Sequence, residues 1–394
     1  MRQPASATGF PVLTAHSKKP TRRPAAQSPA PRPAADGARG PRNGDLPAGE
    51  SAAKPASIYD VAKMAGVSIK TVTRVVNQLG GVTEPTRARV AQAIDALSYK
   101  PNFFARGLAS GRSFLIGLLC DVPAAGSSYI AELQKGMASV CREAGYHLII
   151  ESVDAQRADL DRIVSSFIAR SRLHAVVLTP PVCDSRTVIH ALNEAKTPFV
   201  RIAPQRQLPN AIDVCIDNKQ AAYEMTSYLI GLGHRHIGFI KGTADHGDAV
   251  ARYEGYRAAL ADNRLAFREE FCAQGSFTYQ SGLEAGEKLL TLKTRPTAIF
   301  AGNDEMAAGV IATCQRFDLR VPQDLALAGF DDSLIARVVW PKLTTCRQPI
   351  EEMARLAVLL LVGGSTGDRP AERMLNYELV VRESTAPPLP AQHH

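Results

Sequence analysis

From residue 114 onward the chain repeats one unit, a short apolar run followed by a longer stretch of helical periodicity. The runs are Phe114 to Cys120, His147 to Ser152, Ala175 to Thr179, Phe199 to Ile202, Ile237 to Lys241, Ala298 to Ala301 and Leu325 to Phe330. Between most of them lie stretches such as Ile130 to Ala144, Leu160 to Ala169 and Ala221 to Leu232. Repeated strand and helix units predict α/β architecture, with parallel sheets covered by helices on both faces. Two such sheets fit the length, and in this architecture ligands bind at the carboxyl ends of strands, in the crevice between lobes.

A different pattern precedes it, in the stretch from Ser57 to Gln78. Ser57, with Asp60 three positions on, caps a helix whose inner face is Ile58, Val61, Ala62 and Ala65. Gly66 stops that helix. Ser68 caps a second one, with Val72, Val75 and Val76 inside and Ile69, Lys70, Thr71, Thr73 and Arg74 on the other face. Two short helices around a tight turn predict a helix-turn-helix, whose second helix enters the major groove of DNA. Helices this short need a third partner. Thr83 supplies its cap, Pro85 its first turn, and Val90, Ala93, Ile94 and Leu97 its inner stripe, over about Glu84 to Ser98.

These words carry a resemblance. Tyr59-Asp60-Val61-Ala62, Ala65-Gly66-Val67-Ser68, Thr71-Val72, Arg74-Val75-Val76-Asn77, Tyr99-Lys100-Pro101-Asn102 and Ala105-Arg106 resemble the lactose repressor (LacI/GalR) family of bacterial transcription regulators. Downstream landmarks match in order: Leu232-Gly233-His234, Arg252 with Gly255-Tyr256, Asn303 to Ala307, Gly329-Phe330-Asp331-Asp332, and Leu343-Thr344-Thr345 with Gln348-Pro349. The resemblance covers about residues 57 to 387. It implies an all-α headpiece followed by a two-lobed, periplasmic-binding-protein-like domain that binds an effector and forms a homodimer.

The expected organisation is a disordered basic tail rich in Pro and Ala at 1–56, a headpiece at 57–101, a hinge helix at 102–113, the two-lobed domain at 114–387 and a tail at 388–394. Charge follows this division. Residues 1–56 carry nine Lys/Arg against three Asp/Glu and residues 57–113 eight against three, so a chain of net charge +8 leaves the body at about −3. A basic front on an acidic body suits a reader of polyanions carrying a separate module. Arg22-Arg23 is followed by no apolar segment of an export signal, and no run reaches the ~20 apolar residues of a membrane span. Seven scattered cysteines without metal-ligand spacing predict reduced thiols in a cytoplasmic protein with no metal and no cofactor.

Candidate DNA contacts in the headpiece are Ser57, Tyr59, Ser68, Ile69, Lys70, Thr71, Thr73, Arg74 and Asn77. Ile69, Lys70, Thr73 and Arg74 are assigned near bases, with Arg74 reaching a guanine or a phosphate, while Thr71 and Asn77 position the backbone. Asn102, Arg106, Leu108 and Ala109 complete the set in the hinge. There the resemblance implies a marginal helix, paired across a dimer in the minor groove, with Leu108 as the apolar wedge. Gly107 is a departure that lowers the helix propensity of this segment by about 1 kcal/mol relative to Ala.

In the crevice the resemblance places Arg252, Asn303 and Asp331 as effector contacts, Phe277 as the stacking aromatic and Tyr129 on the opposite wall. A guanidinium beside a carboxylate and an amide suits the mixed donors and acceptors of a sugar. Ala203 stands where many relatives carry a pocket aspartate, Arg201 adds a charge nearby, and His246 is open between ligand contact and solvated loop. No phosphate-cradling loop, zinc-protease motif, nucleophile elbow or dinucleotide fingerprint is present, so catalysis is not expected. The expectation is a repressor of carbohydrate genes, controlled at a palindromic double-stranded operator by a sugar-like effector. A nucleobase effector is the first alternative, and a transport-type solute-binding protein, which would need an export signal and no headpiece, is the second.

Overall fold

The computed structural model describes residues 56–76, 80–99, 113–122, 126–209, 211–363 and 372–389. Residues 1–55, Asn77 and the hinge positions Asn102, Arg106, Leu108 and Ala109 lie outside the described residues. The chain divides into two compact units, one up to Tyr99 and one from Lys100.

The first unit is three helices, α1 (Ile58–Ala65), α2 (Ile69–Val76) and α3 (Glu84–Ala96). Ser57 donates from its backbone N–H and its hydroxyl to the Asp60 carboxylate, at 2.8 and 2.7 Å, which fixes the start of α1. Gly66 ends the helix at φ 62°, in the left-handed region where a Cβ is penalised. Val61, Ala62, Ala65, Val72, Val75, Val90, Ala93 and Tyr99 form the buried core. Helix α3 stops two residues short of the expected end because Ser98 turns to φ 45°.

The second unit contains two six-stranded sheets. The first runs in the order β11 (Glu372–Leu375), β5 (Ile212–Ile216), β4 (Phe199–Ile202), β3 (Ala175–Leu178), β1 (Leu115–Asp121), β2 (His147–Val153), all parallel. The second runs β12 (Glu378–Val380), β10 (Thr344–Arg347), β9 (Ala326–Asp331), β8 (Ala298–Ala301), β6 (Ile237–Lys241), β7 (Cys272–Gln274). It is parallel except at its edge, where β12 pairs antiparallel with β10. The chain therefore passes between sheets three times, after β5, after β10 and after β11. The helix Ile350–Val362 returns to the first sheet and packs on the helix Ser128–Glu143. At that crossing a Cβ on Gly136 would meet the Glu351 carbonyl oxygen.

Arg201, completely buried, faces its register partner Asp213 across β4 and β5. The pair is bidentate, Nε to Oδ1 at 2.8 Å and Nη2 to Oδ2 at 2.7 Å, and a further donation to the Arg206 carbonyl fixes the loop after β4. Fully satisfied in this way, Arg201 is a fold element; neither it nor Ala203 lines the crevice. Six of the seven cysteines are buried and none is in a disulfide. Among the described residues no helix is long and apolar enough to cross a membrane.

Candidate functional site

In the first unit, α2 presents the candidate readout face. Ser68 accepts from Thr71 N–H at 3.2 Å and so caps the helix, while its hydroxyl lies 3.0 Å from that of Thr71. Ile69 and Lys70 are exposed in the first turn, and Tyr59 of α1 is exposed too. Thr73 is half-buried and returns its hydroxyl to the Ile69 carbonyl at 2.9 Å. Arg74 has an intrachain partner. Its Nε donates to the Gly80 carbonyl at 2.9 Å, and its Nη2 makes a second, shorter bond to the same oxygen. The guanidinium thus bonds within the chain, to a backbone oxygen ahead of α3. The sequence could not reveal this, because the partner is a backbone oxygen six positions away.

In the second unit, loops at the carboxyl ends of β1, β2 and β3 face loops that follow β6, β7, β8 and β9. They enclose a cavity of about 700 Å³. The first lobe supplies Asp121, Ser127, Ser128, Tyr129, Asp154, Gln156 and Thr179; the second supplies Thr243, Asp245, His246, Asp248, Arg252, Phe277, Asn303, Glu305 and Asp331. Tyr129, His246, Arg252, Phe277, Asn303 and Asp331, all singled out in the sequence, lie on this one cavity, whereas Arg201 and Ala203 do not.

Arg252 is buried and heavily committed. Nε donates to Asn218 Oδ1 at 2.9 Å, Nη1 to the Gly302 carbonyl at 2.6 Å and Nη2 to Asp248 Oδ2 at 3.4 Å. Its guanidinium carbon lies 3.7 Å from the centre of the Phe330 ring, at the edge of an aromatic core in which Phe330 stacks on Phe300, Phe300 meets Phe239 edge-on and Phe239 stacks on Tyr256. Asp331 sits at φ 112°, a backbone region costly for a residue with a side chain, and accepts from Gln348 Nε2 at 2.7 Å. Burial pushes Asp331 up to about 7, against the opposing pull of Arg252 and Gln348. Burial, with the neighbouring Asp331 charge, pushes Asp304 well above the carboxylate range as well. Asp304 accepts from Thr345 Oγ1 at 2.6 Å and from Ser333 N–H at 2.8 Å beneath the cavity floor. Its Oδ1 lies where a Cβ on Gly329 would stand.

Asn303 caps the helix Asp304–Arg316 through Oδ1 to Met306 N–H at 2.9 Å, and its amide donates to the Phe277 carbonyl at 2.9 Å. It therefore positions Phe277 as well as lining the cavity. Phe277 is held at φ 60° with its ring against Gly242, where any Cβ would overlap it. His246 lies beside that ring, centroid to centroid 5.2 Å. Tyr129, half-buried, faces the cavity from the first lobe, and burial pushes its hydroxyl well up.

Three bonds join the lobes at the rim: Ser128 donates to Glu305 Oε1 from its hydroxyl at 2.7 Å and from its N–H at 3.2 Å, and Gln156 Nε2 donates to Asp245 Oδ2 at 3.2 Å. Sequence reasoning singled out none of Asp121, Asp154, Asp245, Asp248 and Glu305. A signal existed for all five, since Asp121, Asp154, Asp245 and Glu305 lie within four residues of the end of a recognised strand and Asp248 lies one turn before Arg252. No group of side chains able to hold a metal ion occurs among the described residues.

Comparison with known proteins agrees with both units. Residues 57–102 match the family described as bacterial regulatory proteins, lacI family, and residues 226–385 match a periplasmic binding protein-like domain. The catabolite control protein A of Priestia megaterium is 34% identical over 306 residues, 77% of this chain and 91% of that protein. The HTH-type transcriptional repressor PurR of Pectobacterium carotovorum is 34% identical over 338 residues, 84% and 97% of the two chains. The ribose operon repressor of Escherichia coli is 34% identical over 310 residues, 78% and 92%. Among solved structures, the lac repressor dimer bound to operator and an anti-inducer superposes with a TM-score of 0.71 at 25% identity, covering 84% of this chain and all of that one. A complex of the regulator CelR with cellobiose gives 0.63 at 30% identity, covering 84% and 99%. These relatives are regulators and not enzymes, and on this evidence the chain belongs to the LacI family: it is a DNA-binding transcriptional repressor.

Proposed function

We propose that this repressor is controlled by a small, hydroxyl-rich effector held in the crevice between its lobes, and that its targets are genes of carbohydrate uptake or catabolism. The observation that carries the reading is the convergence of Arg252, Asp331 and Phe277 on one cavity of about 700 Å³. A fixed guanidinium and carboxylate suit vicinal hydroxyls, and an aromatic face suits the C–H face of a pyranose ring. Relatives whose names include ribose and cellobiose support it. A nucleobase is the second reading, supported by the same aromatic ring on the cavity wall, which would stack equally well on a planar base.

In this reading residues 57–101 form the headpiece, residues 102–113 couple it to the body as a hinge, and residues 114–387 bind the effector and dimerise, in the cytoplasm. Ile69, Lys70 and Thr73 face base edges, Ser57, Tyr59, Ser68 and Thr71 position the phosphates, and Leu108 wedges the minor groove. Dimerisation is supported by the apolar side chains Leu334, Val338 and Trp340, between 64 and 75% exposed on one short helix and the turn after it. Effector binding changes the lobe angle and so shifts the equilibrium between operator-bound and free forms, by ~1–3 kcal/mol in systems of this kind.

The test is thermal unfolding of the full chain against sugars, glycosides and nucleobases, followed by operator binding with any hit. A ligand at 100 times its dissociation constant stabilises by about 2.7 kcal/mol, which is readily seen. A shift with nucleobases alone transfers the assignment to the second reading. A sugar shift that Phe277→Ala does not weaken removes the crevice as its site.

A further inference from the structure

The cavity is strongly one-sided in charge. Six carboxylates line it, from Asp121, Asp154, Asp245, Asp248, Glu305 and Asp331, and Arg252 is the one lysine or arginine among its described lining residues. That guanidinium serves the carboxylates on its own side, 3.4 Å from Asp248 and 3.8 Å from Asp331. Asp121 takes an N–H bond from Ala155, Asp154 one from Gln156, Asp245 the Gln156 amide, and Glu305 the hydroxyl and N–H of Ser128. All of these donors are neutral. His246, which faces both Asp121 and Asp248, is the other base at the site. The hydroxyl of Thr243, also on the lining, is buried without a protein partner. Neutral donors satisfy lone pairs but cancel no charge, so the field within a low-dielectric crevice stays negative.

We propose that the crevice selects its effector by charge, accepting a hydroxyl-rich ligand that is neutral or carries an ammonium group and rejecting the phosphorylated or carboxylated form of the same molecule. This rests on the crevice being the effector site, and it holds whether the ligand is a sugar or a nucleoside. Hydroxyl groups donate to carboxylates that have unused lone pairs, and an ammonium group gains Coulomb attraction as well. A phosphate brings about two negative charges to a wall that offers one guanidinium, already paired. The selection sits at the effector step, so the protein would report the free compound and not its phosphorylated product.

The experiment is titration calorimetry of the full chain with matched sets: glucose, glucosamine and glucose 6-phosphate; ribose and ribose 5-phosphate; cellobiose and its aldonic acid; adenosine and its 5′-monophosphate. Within the set that binds, we expect the neutral member to exceed its anion on the order of 100-fold, and the amine to bind at least as tightly as its parent. Raising the salt concentration narrows the gap, because screening weakens the repulsion. Asp154→Asn with Asp245→Asn, two exposed positions at the rim, lowers the neutral-to-phosphate ratio on the order of tenfold; Asp245→Asn alone serves if the double variant does not fold. An anion that binds as tightly as its parent, in competition with it, overturns the proposal and leaves the crevice reading intact. A ratio that neither salt nor the Asn variants move overturns it too. If no member of any set binds, the effector-site reading fails and this inference fails with it.

Discussion

Arg252 Nη2 lies 3.8 Å from Asp331 Oδ1, both side chains buried, where the second lobe's sheet meets the crevice. The same guanidinium holds the Gly302 carbonyl and Asn218, so it is part of the lobe's framework as well as of the cavity wall. Arg252→Ala would strand these acceptors in the interior. We expect a loss of ~3–5 kcal/mol in unfolding free energy, read as a lower urea midpoint, together with loss of the effector response. Wild-type stability in that variant would mean that water replaces the guanidinium at no cost.

Asp331 is raised to about 7 by burial, against ~3.9 for an ordinary aspartate. A carboxyl raised on folding binds its proton more tightly in the folded chain. Its contribution to stability is complete below about pH 4 and is lost as pH climbs to about 7. Asp304, raised by burial and by Asp331, acts with the same sign. Unfolding free energy should therefore fall between about pH 4 and 7, and Asp331→Asn, which keeps the oxygen that Gln348 grips, should flatten that slope in denaturant titrations.

Ser128 Oγ and Glu305 Oε1, 2.7 Å apart, tie the two lobes across the cavity rim. Their bond exists only when the lobes are this close. Ser128→Ala should weaken effector binding by about 1 kcal/mol, roughly fivefold in Kd, with little change in overall stability. Calorimetry against circular dichroism separates the two effects, and an unchanged Kd would show that closure does not use this bond.

On the first unit, Lys70 and Arg74 should behave differently although both are cationic. Lys70 is exposed, and Lys70→Ala should weaken operator binding and reduce the slope of log K against log salt by about 0.9. Arg74 holds the Gly80 carbonyl, so Arg74→Ala should lower the melting temperature of the headpiece before any DNA is added. Equal effects of both on DNA affinity alone would return Arg74 to the readout face.

Trp340, 75% exposed, is the chain's one tryptophan. If the apolar patch it shares with Leu334 and Val338 is the dimer face, Trp340→Glu should halve the mass seen by sedimentation velocity at micromolar concentration, and the wild type's Trp340 emission should shift to the red as dilution separates the dimer. A dimer that survives the substitution removes the patch from the interface.

Much of this was legible in the sequence. Ser57 with Asp60, Gly66, Ser68, Thr83 and the strands Phe199–Ile202, Ile237–Lys241 and Ala298–Ala301 stand where apolar period and cap chemistry put them. The strands that escaped notice are short or interrupted by charge. Ile212–Ile216 contains Asp213, which reads as a solvent-facing residue until Arg201 is placed beside it by the register of β4 and β5. Glu378–Val380 offers three residues, too few for any periodicity, and its antiparallel pairing makes the edge of the second sheet mixed.

The limit has a physical origin. Helix caps, turns and apolar stripes are set by contacts within about four residues of one another, so the sequence by itself determined the helix-turn-helix, the strand and helix order, and the strand ends where ligands collect. The acidity of the crevice, the partnership of Arg74 with Gly80 and the bond from Ser128 to Glu305 arise between segments that the local pattern does not connect. Sheet order and lobe pairing bring Asp121, Asp154 and Asp245 to one cavity, and only the tertiary structure decided that its one arginine would pair with Asp248 and Asp331 and leave those three to neutral donors.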